Sequence, residues 1–171
     1  MYSQGLIPPV FSISISRDSS HGSYIALGGI PPAVSTYGSW ATTPVEYLQV
    51  SSLQETFPAA QYQFYAITPD AYLYRNTTLE IDHWLPFQAS DNTTSANQTI
   101  LDTGTTLVHL PSSIAYLLAS LYIPPAIWSV DEGVFLISCQ AAAPSFAVQI
   151  GGVIFPVDKL VYNQGYKGNK D

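Results

Sequence analysis

Ile100-Leu101-Asp102-Thr103-Gly104-Thr105-Thr106 is the stretch on which the reading of this chain turns. Two aliphatic residues carry one carboxylate to the end of an apolar strand. The chain then turns sharply through glycine and small hydroxyl residues. Such a run builds a carboxylate that is held rigidly, hydrogen-bonded and still open to a cleft. General acid–base chemistry by carboxylates needs one as a base to activate water and one as an acid to protonate a leaving group. Two neighbouring carboxylates that share one proton supply both, because they cannot ionise together and their pKa values separate. The stretch occurs once in the chain, so it accounts for one of the two.

The flanking sequence places this carboxylate among strands. Val10-Phe11-Ser12-Ile13-Ser14-Ile15-Ser16 alternates, with Phe11, Ile13 and Ile15 on one face and serines on the other. The turn cluster Arg17-Asp18-Ser19-Ser20-His21-Gly22 returns it through Tyr24-Ile25-Ala26-Leu27 as a hairpin that stops at Gly28-Gly29. Further strands are expected over residues 62–67, 72–74, 99–101, 107–110 and 134–137. A final hairpin crosses Gly151-Gly152 between residues 146–150 and 153–155. One helix opens at Pro111-Ser112-Ser113 and ends at Pro124-Pro125, with Ile114, Leu117, Leu118 and Leu121 at i, i+3, i+4 and i+7. The expected class is all-β with one or two short helices.

Composition narrows the function. The 171 residues suit one domain that buries about two thirds of its unfolded surface. Hydrophobic residues make up 47% and charged residues only 10%, with Thr, Ser, Tyr and Pro supplying the polarity, a balance of β-rich secreted domains. A net charge of −7 with five Lys and Arg excludes a nucleic-acid partner, since phosphate neutralisation needs clustered cations. The pI of about 4.6 suits acid surroundings, where protonated carboxylates reduce self-repulsion. No apolar run reaches the roughly 18 residues of a membrane span, and nothing at Met1-Tyr2-Ser3-Gln4-Gly5 reads as a signal peptide.

Three sequons, at Asn76, Asn92 and Asn97, nevertheless point to an extracellular or secretory/vacuolar glycoprotein. Cys139 is the sole cysteine, and reads either as a buried small apolar residue or as half of a pair whose partner lies elsewhere. His21, His83 and His109 share no metal-ligand spacing, and no Gly-x-Ser-x-Gly elbow exists, so metal, cofactor and serine-nucleophile chemistry have no support. The twelve tyrosines and Trp40, Trp84 and Trp128 read as ordinary strand residues with apolar bodies and polar tips.

Asp102-Thr103-Gly104-Thr105, preceded by Ile100-Leu101, resembles the active-site signature of the pepsin-like aspartic endopeptidases (peptidase A1). The resemblance extends along the chain in order. Gln4-Gly5-Leu6-Ile7 with the strand from Val10 looks like the start of that family's second lobe. Leu27-Gly28-Gly29-Ile30 is similar to its glycine-rich return strand, and Tyr62-Gln63-Phe64-Tyr65-Ala66-Ile67 to the strand before the catalytic loop. Leu110-Pro111 into a helix, then Ser138-Cys139 and the hairpin from Pro144 to Phe155, complete the match.

This resemblance implies a pepsin-like acid protease lobe over residues 1–162, a partial C-terminal lobe, followed by a polar tail at 163–171. It implies peptide-bond hydrolysis at acid pH on peptide or protein substrates, with no cofactor and with Asp102 as one dyad member. Gly104 would donate its N–H to that carboxylate, Thr105 would bond its outer oxygen, and Thr103 would point inward to lock two catalytic loops together. Thr106 would support the same loop. The family's N-terminal lobe, with the other aspartate, is needed for a complete site. So are the second lobe's closing strand and the cysteine that would pair with Cys139. The chain is expected to begin and end inside the family domain and to be inactive alone. Two alternatives stay open: an inactive protease-derived binding module or truncated gene product, and a pair of copies each supplying an Asp102.

Overall fold

A computed structural model describes residues 4–16, 22–30, 38–47, 64–87, 98–105 and 107–159. By contact density the chain falls into two compact units, Met1–Trp40 and Ala41–Asp171. The first contains an antiparallel pair, β1 (Phe11–Ser14) and β2 (Tyr24–Leu27), in the register Phe11↔Leu27 to Ser14↔Tyr24. This is the hairpin expected from the alternation of Phe11 and Ile13 with serines. Gly28 ends it at a φ of +86°, where a Cβ would lie 3.1 Å from Ile7 Cβ, so glycine is required by backbone and by space alike.

The second unit is built on a four-stranded antiparallel sheet. In chain order its described elements begin with β3 (Ala66–Ile67), β4 (Ala71–Asn76), a 3₁₀ turn (Thr77–Leu79), β5 (Ile81–Pro86) and β6 (Thr99–Ile100). The helix α1 (Ser112–Ser120) follows, then β7 (Ile127–Ser129), β8 (Val134–Leu136), β9 (Ser145–Ile150) and β10 (Val153–Val157). The sheet order is β10-β9-β4-β5, which puts Pro86 and Pro156 on the two outer strands, where a missing N–H costs no ladder bond. Gly151 and Gly152 take φ values of +56° and +79°, the two positive torsions that a tight two-residue turn demands. Asp70 Oδ2 accepts the Gly152 N–H at 2.7 Å and pins this turn.

Alternation along β4 and β9 sends Tyr72, Tyr74, Phe146 and Val148 to one face, in the pairs Tyr72↔Val148 and Tyr74↔Phe146. Leu118 and Tyr122 join Phe146 there in the core, with Tyr72, Phe87, Leu110, Val148 and Val157 packed around them. Phe146 is 1% exposed, and its ring lies 6.2 Å from Tyr72 and 6.3 Å from Phe87. The fold is therefore the expected all-β one, and α1 is the one α-helix among the described residues.

Several local expectations need correction. Residues 107–110 form no strand, since none of the described strands offers them a ladder partner, and Leu107 and Val108 are exposed. Of the helix positions expected to face inward, Ile114 and Leu118 are buried while Leu117 is exposed; Ala119 is buried instead. Strands β5 and β7 lie where no strand was expected, and of the strand expected over 62–67 only Ala66–Ile67 forms among the described residues. Among the described residues no helix is long and apolar enough to cross a membrane.

Candidate active site

Asp102 lies two residues beyond β6, on a strand pair only two residues long. Ala66 pairs with Ile100 and Ile67 with Thr99, and the Leu101 N–H extends the ladder to Tyr65 O at 2.9 Å. Ala66 and Ile67 are buried, so one strand of the pair is anchored in the interior, while Leu101 and Asp102 emerge to solvent.

The Gly104 N–H donates to Asp102 Oδ1 at 2.8 Å, and the Thr105 hydroxyl donates to Asp102 Oδ2. Each carboxylate oxygen thus has its own donor. A Cβ at Gly104 would stand 3.3 Å from Oδ1, so a side chain there would crowd the approach that makes the first bond. The Thr105 hydroxyl and, second, the Gly104 N–H hold the Asp102 carboxyl below the usual aspartate range, against a smaller opposing effect of desolvation. A carboxylate of this kind stays ionised into acid solution, and it is exposed to solvent.

Of the site residues read from the sequence, Asp102, Gly104 and Thr105 come together in this way. Thr103 is exposed on the same turn, and Thr106 lies outside the described residues. The sequons divide. Asn92 and Asn97 lie outside the described residues, whereas Asn76 is 3% exposed. Its Nδ2 donates to Leu121 O at 2.6 Å and its Oδ1 accepts the Thr78 N–H at 3.1 Å, capping the 3₁₀ turn. A glycan on that nitrogen is incompatible with this packing. Cys139 is exposed with a free thiol, so its reading as a buried apolar residue fails.

Sequence reasoning missed a polar group beside β3 and β6. Glu46 bridges to Ala66 through its backbone N–H at 2.8 Å. Its Oε2 accepts the Thr68 hydroxyl at 2.8 Å and the Gln98 amide at 2.9 Å. Gln98 first, then Thr68, hold the Glu46 carboxyl below its ordinary range. The separations of 22 and 52 residues leave no local pattern that reveals this contact.

A strand-borne carboxylate held by glycine and threonine, in an antiparallel β domain, is the arrangement expected from the Asp102-Thr103-Gly104-Thr105 signature. The sequence model for eukaryotic aspartyl protease matches residues 1–170, and the chain belongs to that family. It is 32% identical over 167 residues to a probable aspartic-type endopeptidase of Aspergillus fumigatus, a match covering 94% of this chain and 34% of that protein. The chain thus spans about a third of the length of this relative. No solved structure matches it.

Proposed function

We propose that this chain is one lobe of an aspartic-type endopeptidase and supplies Asp102 as one of two catalytic aspartates. The observation that carries the reading is the pair of donors on Asp102, one to each carboxylate oxygen. Donors to the ionised form keep this carboxylate negative in acid, which suits the member of a dyad that accepts a proton from water. The other aspartate comes from a companion lobe, since the signature stands once in these 171 residues. Substrates are peptides or unfolded proteins bound in the cleft between lobes. The setting is extracellular or secretory/vacuolar, supported by the acidic composition and by the sequons at Asn92 and Asn97.

The decisive experiment assays cleavage of an unfolded protein between about pH 3 and 5, a range bracketing carboxylate titration. The isolated chain is expected to be inactive. Joined to a companion lobe it is expected to cleave, and Asp102→Asn to lower kcat by about 10²-fold or more. Full activity of Asp102→Asn in the joined protein would refute the assignment. Cleavage by the isolated chain that vanishes with Asp102→Asn would instead favour two copies pairing their aspartates.

A further inference from the structure

We propose that Glu46 is a positioning residue for Asp102, its carboxylate clamping the end of the β3–β6 ladder opposite to the one from which the catalytic turn leaves. The proposal rests on the reading of Asp102 as the catalytic carboxylate. The ladder has two residue pairs, Ala66↔Ile100 and Ile67↔Thr99. So short a pairing is marginal by itself, and a slip of one residue would move Asp102 by about 3.3 Å and turn every side chain of β6 to the opposite face.

Both ends of the ladder are tied. At the Asp102 end, the Leu101 N–H reaches Tyr65 O at 2.9 Å. At the other end the next residues in register are Thr68 and Gln98, and Glu46 Oε2 accepts from both, at 2.8 and 2.9 Å. The Gln98 amide nitrogen also donates to Tyr47 O at 2.8 Å, and the Glu46 N–H reaches Ala66 O at 2.8 Å, so the segment carrying Glu46 is itself fastened across β3. One oxygen thereby fixes which residue of β6 stands opposite which residue of β3, and with it the point at which Asp102 emerges. Both side-chain donors are uncharged, so the role needs an acceptor and not a charge. The same two donors favour the ionised form of Glu46, and the clamp survives mild acid.

The test follows the Asp102 carboxyl of the whole chain by carbon-detected NMR from about pH 2 to 7. In Glu46→Ala the midpoint is expected to move up toward the ordinary aspartate range, because a loosened β6 no longer presents Oδ1 and Oδ2 to Gly104 and Thr105. Glu46→Gln keeps an acceptor at the same reach and is expected to titrate like the parent. Amide resonances of Phe146 and Ala147 report whether the main sheet is intact. Should Glu46→Ala fail to fold, Gln98→Ala, which removes one donor, is expected to give the same upward movement. An unmoved midpoint in the folded alanine variant, or Glu46→Gln behaving like Glu46→Ala, would overturn the proposal. Activity does not enter this readout, so an Asp102→Asn variant that kept full proteolysis would sink the functional reading without touching the titration.

Discussion

The four-stranded sheet under α1 and the two-residue ladder carrying Asp102 hold their shapes by different means. Between the sheet and α1, Phe146, Leu118 and Tyr122 exclude water, and Tyr72, Phe87 and Val148 surround them. Each loses exposed apolar area on folding, about 1.5–3 kcal/mol for a fully buried large side chain. At the ladder, Asp102, Thr103, Gly104 and Thr105 are all exposed, and their geometry comes from individual hydrogen bonds. Apolar packing excludes solvent, while an ionised carboxylate with only two donors is held most cheaply where water reaches it. The two regions therefore divide stability from chemistry. The Tyr72 hydroxyl and Thr99 Oγ1, 2.5 Å apart, join them directly from β4 to β6.

Breaking the packed region should have the largest effect on folding. Phe146→Ala is expected to destabilise by about 3–5 kcal/mol, read as a shift in the urea midpoint. A loss below 1 kcal/mol would mean that the sheet is not the stabilising centre. Asn76 sits on that side of the division as well. Asn76→Ala leaves Leu121 O and the Thr78 N–H without their partner, a cost of about 1–3 kcal/mol measured by the same titration. Thr78→Ala destroys the sequon while sparing that backbone N–H, and is expected to leave the glycan mass unchanged by mass spectrometry. A loss of one glycan would refute the structural role of Asn76.

The link between the regions is weaker. Tyr72→Phe removes its hydroxyl contact with Thr99 and is expected to cost about 0.5–1.5 kcal/mol in the same urea titration. No change would show that the two regions are energetically independent. The smallest effect on folding belongs to Thr105→Val, whose signature is a titration. The lowered Asp102 pKa favours the folded state above the ordinary aspartate range, and that contribution is lost as pH falls through the depressed value. Without the Thr105 hydroxyl, the folded and unfolded pKa values converge and this acid dependence should flatten. A midpoint by NMR as low as the parent's would show that Gly104 alone sets the carboxylate.

Legibility followed sequence distance. The β1–β2 hairpin, the Gly151-Gly152 turn and the helix after Pro111 were readable because alternation, positive φ and 3.6-residue spacing act over a few residues. The loop from Asp102 to Thr105 was readable because donors and acceptor lie within three residues. The pairing of β4 with β9 joins Ala71 to Gln149 and depends on which apolar faces meet, which no local window records. Residues 107–110 carry a strand-like pattern and make no strand among the described residues, because a ladder needs a partner as well as a propensity.

The sequence by itself determined the family, the all-β class and the hydrogen-bonded turn from Asp102 to Thr105, since each is encoded in short runs obeying local backbone rules. Only the tertiary structure decided that Asn76 faces inward and that Glu46 reaches both Thr68 and Gln98. Hydrogen bonds between residues tens of positions apart exist only after the chain has closed the loops between them, and that closure is set by the packing of the whole core.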